Sequence, residues 1–165
     1  MFDMKKLVIS MLLTGLVLCC LAAAEPAPKI GSEAPGLELT DLEGKTFSLQ
    51  SFIGEKKVIL AFLASWSKSC QAELIDLQPL YTENSKSLEV LAVSFDKKQK
   101  DLKAFLAKNE VTYPVLFDKK LSTLDRFQIL IIPTTFCINR EGVIEKIFID
   151  YDENVKKALA EWIHS

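Results

Sequence analysis

The chain has 165 residues, 49% hydrophobic and 25% charged, with a formal net charge of −2. That balance suits one soluble α/β domain behind an apolar leader and offers no electrostatic case for nucleic-acid binding. The single histidine, His164 beside the C-terminus, argues against a Ser-His-Asp triad and a His/Cys metal cluster, and no metal or other cofactor is expected.

Residues 1–24 read as a signal peptide or an N-terminal anchor. Lys5 and Lys6 precede the apolar run Leu7 to Leu21, and Ala22-Ala23-Ala24 supplies the small residues of a cleavage site. The run is short for a bilayer span of about 20 residues. Cleavage after Ala24 is therefore expected, with retention as a membrane attachment the alternative. Lipid attachment at Cys19 or Cys20 is disfavoured, because Leu18 and Cys19 stand where a lipoprotein signal carries a small residue. Losing the leader removes two lysines and Asp3 and moves the charge from −2 to −3. It leaves Cys70 and Cys137 as the only cysteines, too few for a disulfide scaffold, so the fold must rest on its core.

Residues 25–35, with Pro26, Pro28, Gly31 and Pro35, read as an extended linker to one domain over 36–165. Leu37 to Leu39 and Thr46 to Leu49 flank Asp41-Leu42-Glu43-Gly44 and predict a hairpin. Lys57 to Leu63 is apolar without alternation, as in a central strand covered on both faces. From Ser69 to about Asn84, Leu74, Leu77 and Tyr81 recur at helical spacing, with Pro79 expected to bend or shorten the helix. Leu88 to Phe95 predicts a second buried strand, and Leu102, Phe105 and Leu106 mark the next helix. Tyr113 to Phe117 leads to a short helix around Ser122 to Phe127. Thr134 to Asn139 and Val143 to Ile149 predict strands joined by a turn at Arg140-Glu141-Gly142. Val155, Ala158, Leu159, Trp162 and Ile163 form one stripe on a last helix. The order implies a central sheet, mostly parallel at first and antiparallel in its last pair.

Two motifs stand out, Trp66-Ser67-Lys68-Ser69-Cys70 at the start of a helix and, 63 residues beyond Cys70, Ile132-Pro133-Thr134-Thr135-Phe136. With Gly31 to Pro35, Leu42 to Lys45, Phe62 to Ser65 and Leu91 to Asp96 around them, they resemble the thioredoxin superfamily, in particular its exported TlpA/ResA-like (redoxin, AhpC-TSA-like) branch. The resemblance covers about residues 30–163. It implies a thioredoxin-like α/β fold, a central mixed sheet flanked by helices with an N-terminal β-hairpin, and thiol-disulfide chemistry on exported proteins bearing thiols or disulfides. It also implies that Pro133 is cis and faces the redox motif, so that Trp66, Ile132 and Pro133 bind a substrate backbone. A trans proline opening the following strand is the plain alternative.

The family motif is Cys-x-x-Cys, and its first position here is Ser67. A thiol there is the nucleophile, favoured as thiolate by the helix N-terminus, whereas a serine hydroxyl with no histidine beside it ionises far too weakly to attack a disulfide. Ser67 is expected to cap the helix or, second, to hydrogen-bond the thiol of Cys70. Cys70 matches the resolving cysteine and cannot form the motif's internal disulfide alone; it is either a thiol open to mixed disulfides and sulfenic acid or an inert one. Glu73, one turn on, matches an acidic residue that the family places beside its redox pair, where it raises the thiol pKa; the alternative is a carboxylate serving the helix dipole. Trp66 is expected to cover the site and Lys68 to be solvated. Cys137, four residues beyond Pro133 and so about 13 Å along a strand, is expected to be a buried core residue rather than a partner for Cys70.

Three readings follow. One is a thioredoxin-like protein without dithiol exchange that binds partners beside Pro133. A second is a one-thiol enzyme acting through Cys70, with a peroxidase weakened because Leu63 and Thr134-Thr135 stand where peroxiredoxins carry a proline and an arginine. The third takes Ser67 as an introduced replacement in an ordinary oxidoreductase.

Overall fold

The computed structural model describes residues 27–165, so the leader expected over 1–24 lies outside the described residues. Strands β1 (Glu38–Thr40) and β2 (Thr46–Ser48) form the expected antiparallel hairpin, with Leu39 opposite Phe47. The Asp41 carboxylate closes it by accepting from the amides of Glu43 at 2.9 Å and Lys45 at 2.8 Å. A 3-10 turn, Leu49–Phe52, leads into β3 (Lys57–Leu63), α1 (Lys68–Asn84), β4 (Leu88–Ser94), α2 (Gln99–Lys108), β5 (Val115–Phe117), α3 (Ser122–Phe127), β6 (Thr134–Ile138), β7 (Ile144–Ile149) and α4 (Glu153–Ile163).

The main sheet runs β5-β4-β3-β6-β7. β4 pairs parallel with both β3 and β5, while β6 pairs antiparallel with both β3 and β7. The sequence implied antiparallel pairing only in the last pair. The β3 and β6 pairing is also antiparallel because the segment after α3 re-enters at the end of the sheet where β3 finishes, setting Thr134 opposite Phe62. β5 is an addition to the predicted set; its three residues are too few for periodicity to mark them as a strand.

β3 is buried on both faces because its alternate side chains serve two cores. Ile59, Ala61 and Leu63 meet Cys70, Leu74 and Leu77 of α1 and Leu159 and Trp162 of α4. Val58, Leu60 and Phe62 meet Leu37, Leu49, Phe127, Phe136 and Ile138. Phe62 stands 4.8 Å from the ring of Phe127 and 5.8 Å from that of Phe136. Deleting so central a ring costs about 3–5 kcal/mol.

Pro79 does not shorten α1, which continues to Asn84. The hydrogen bond it forgoes is to the carbonyl of Ile75, on a side of the helix where Ile75 is 42% exposed and water can serve instead. In the β6 to β7 turn, Gly142 has φ +83, a conformation that strains any other residue, and a Cβ there would sit 3.2 Å from Ile53 Cδ1.

Candidate functional site

The site forms where β3 hands over to α1. The linking loop is clasped by a buried carboxylate. Asp96 accepts from the Ser65 amide at 2.8 Å, the Ser65 hydroxyl at 2.7 Å and the Ser94 hydroxyl at 2.7 Å. Gln71 of α1 donates from Nε2 to the Ser65 carbonyl at 2.6 Å. Trp66, between these fixed points, is 68% exposed. Its indole stands largely in solvent, while the bonds of Ser65 hold the loop itself against the core.

Ser67 occupies the N-cap position with extended backbone, and its carbonyl accepts from the Gln71 amide at 2.9 Å. The expected side-chain cap is absent: the Ser67 hydroxyl makes no capping bond to the helix backbone. It lies 3.4 Å from the Ser69 hydroxyl, and its influence on the Cys70 thiol, the second of the two expectations, is to favour the ionised form. These nearby groups take the hydroxyl that the helix amides would otherwise use.

Cys70, in the first turn of α1, has no exposed surface. Burial pushes its thiol above the ordinary range; the Ser67 hydroxyl and the Ala64 backbone act the other way, and the charges of Glu73 and Asp150 add to the rise. Burial thus outweighs the groups that favour the thiolate. Cys137 lies on the same face of the sheet, is buried and free, and has its thiol pushed well up, chiefly by burial. No disulfide joins the two.

Glu73 is 1% exposed and lies in the second turn, so it is not a solvated carboxylate serving the helix end. Thr135 donates its hydroxyl to Glu73 Oε1, while Oε2 has no partner. Burial raises its pKa to about 7, against the lowering effect of the Thr135 hydroxyl and with help from Asp150. Glu73 thus holds a proton that it exchanges near neutral pH. Below it on α1, Asp76 accepts from the Tyr151 hydroxyl at 3.0 Å and pairs with Lys156 at 3.0 Å.

The bond between Thr135 and Glu73 ties β6, and with it the loop before β6, to α1. In that loop the Ile132–Pro133 peptide bond is cis. Asp150 donates its amide to the Pro133 carbonyl at 2.8 Å, and Thr134 donates its hydroxyl to the Ile131 carbonyl at 2.7 Å. Among the described residues no backbone partner takes the amide or carbonyl of Ile132. Ser67, Cys70 and Glu73 are thus brought together, Pro133 is buried in the adjoining loop, and Lys68 is exposed. Sequence reasoning missed Thr135 as the partner of Glu73 and missed the Asp96 clasp. The only hint of the first was the second of two threonines after the proline. Among the described residues, no group of His, Cys, Asp and Glu could hold a metal ion.

The five-stranded sheet, the hairpin and the facing of α1 by the proline loop define a thioredoxin-like protein. The sequence profile of the AhpC/TSA family matches residues 30–147, and the chain belongs to that family. It is 37% identical over 122 residues to the thioredoxin-like protein YneN of Bacillus subtilis, covering 72% of this chain and 71% of that one. It is 33% identical over 141 residues to the thiol-disulfide oxidoreductase ResA of Bacillus thuringiensis, covering 84% and 79%. Among solved structures it is similar to StoA of Bacillus subtilis, with TM-score 0.66 and 29% identity, covering 79% of this chain and 98% of that one.

Proposed function

We propose that the chain is an exported thioredoxin-like protein that binds extracytoplasmic proteins carrying thiols or disulfides, in the groove between Trp66 and the Ile132–Pro133 loop, without dithiol exchange. The observation that carries this reading is the single sulfur. Ser67 stands at the attacking position, and Cys70 is sealed from solvent with its thiol pushed up. A disulfide cannot be reduced or re-formed within a motif that holds one sulfur. What supports binding is the surface left beside it: an exposed indole on a clasped loop and a backbone segment at Ile132 free to pair with an extended chain. Ser67, Cys70 and Glu73 are then a degenerate redox centre, and Trp66, Ile132 and Pro133 the binding residues. A one-thiol enzyme acting through Cys70 is disfavoured by the same burial.

The reading is tested with an unfolded, disulfide-containing protein as ligand, measured by titration calorimetry before and after its free thiols are blocked. Binding should survive blocking and should weaken about tenfold or more in Trp66→Ala, as for loss of a central aromatic anchor. Unchanged affinity in Trp66→Ala, or affinity abolished by thiol blocking, would refute it.

A further inference from the structure

The groove between Trp66 and the Ile132–Pro133 loop has a further side, formed where β7 ends. Asp150 follows β7 directly, and its amide donates to the Pro133 carbonyl at 2.8 Å, so the backbone of this residue is fastened alongside the proline. Its φ is +69, in the left-handed region where glycine sits without strain and aspartate is among the few side chains tolerated. A position suited to glycine thus carries a carboxylate at the rim of the groove. That carboxylate is exposed, and Oδ1 accepts from the neighbouring Tyr151 amide at 2.9 Å. Among the described residues no lysine or arginine forms a salt bridge with it. Its charge is felt inside the site, where it adds to the rise of both the Cys70 thiol and the Glu73 carboxyl.

The neighbouring acids are otherwise engaged. Glu73 is buried against Thr135, and Asp76 is held by Tyr151 and Lys156. Asp152 accepts from the amides of Asn154 and Val155 at the start of α4. On the facing wall, Lys68 is exposed next to Trp66 and pairs with no acid among the described residues. Its ammonium rides on a flexible four-carbon stem and swings clear of an incoming chain, whereas the short Asp150 side chain stands on a bonded backbone. A carboxylate fixed beside a segment that pairs with an extended chain discriminates among chains by the side chain that lands on it.

We propose that Asp150 selects the partner: the segment held beside Pro133 carries a lysine or arginine that pairs with the Asp150 carboxylate. This rests on the groove reading above and adds to it the charge of the occupant.

The test measures, by titration calorimetry on the full chain, the binding of three unstructured peptides that share one apolar scaffold and carry lysine, glutamine or glutamate at the intervening positions. The lysine peptide should bind about fivefold more tightly than the glutamate peptide, and the preference should shrink as salt is raised, as for a partly exposed ion pair. Asp150→Asn keeps a residue that accepts a positive φ and should reduce the preference to about twofold or less. Glu141→Gln makes the same change of net charge in the turn at the other end of β7, and should leave the preference at its wild-type value. Equal affinities for the three peptides, or a lysine preference that Asp150→Asn leaves intact, would overturn selection by Asp150, while binding that Trp66→Ala still weakens would keep the groove. Binding of none of the peptides would overturn both.

Discussion

Glu73→Gln removes the buried carboxylate while keeping its shape and its acceptor for Thr135. The magnitude follows from the shift. In the unfolded chain the carboxyl titrates near 4.5 and in the folded one near 7. The native state therefore binds the proton more tightly, and stability falls as pH rises between those values. At about 1.4 kcal/mol per pKa unit the full penalty is roughly 3 kcal/mol, reached above pH 7; at pH 5 it is only about 1 kcal/mol. The Gln variant carries no such titration. Its stability relative to wild type should therefore improve by about 2–3 kcal/mol between pH 5 and pH 8. Urea unfolding of both proteins at the two pH values measures this, because every other titrating group cancels in the comparison. A stability difference that stays the same from pH 5 to pH 8 would show that Glu73 does not hold its proton near neutrality.

Further expectations concern the neighbours of this residue. Thr135→Val takes away the hydroxyl that favours the ionised form, so the pKa of Glu73 should rise beyond about 7, a shift visible in a carboxyl-resolved NMR titration. Asp96→Ala strands three buried donors of Ser65 and Ser94 and should cost about 2–4 kcal/mol in urea unfolding, with faster hydrogen exchange at the Ser65 amide. Alkylation of Cys70, followed by peptide mass, should be at least about 100-fold slower in the folded chain than in denaturant, since the thiol is reached only by opening the structure.

Long apolar patterns were the legible part of the fold. The bounds of β3 matched the predicted Lys57 to Leu63 because Val58 to Leu63, buried on both faces, form an unbroken apolar run behind a single lysine. The stripe on α4 likewise announced a helix docking through Leu159, Trp162 and Ile163. Three-residue β5 was not legible, since its place in the sheet comes from pairing with Ala92 to Ser94 rather than from its own pattern. Within the candidate site, the residues were readable and their relations were not. Cys70 and Glu73 could be placed on one helix face by spacing. Whether Ser67 turned to the helix amides or to the thiol depended on side-chain geometry. The partnership of Glu73 with Thr135 spans 62 residues and is made by tertiary packing alone. Asp96 looked like an ordinary strand-end acid because nothing local shows that its acceptors are saturated by Ser65 and Ser94.

The most direct measurement is catalysed reduction of a protein disulfide by the wild-type chain and by Ser67→Cys, side by side with the same external reductant. A second sulfur at position 67 should confer repeated turnover on the variant, while the wild type stays at the uncatalysed rate. Sustained turnover by the unaltered chain would contradict the account.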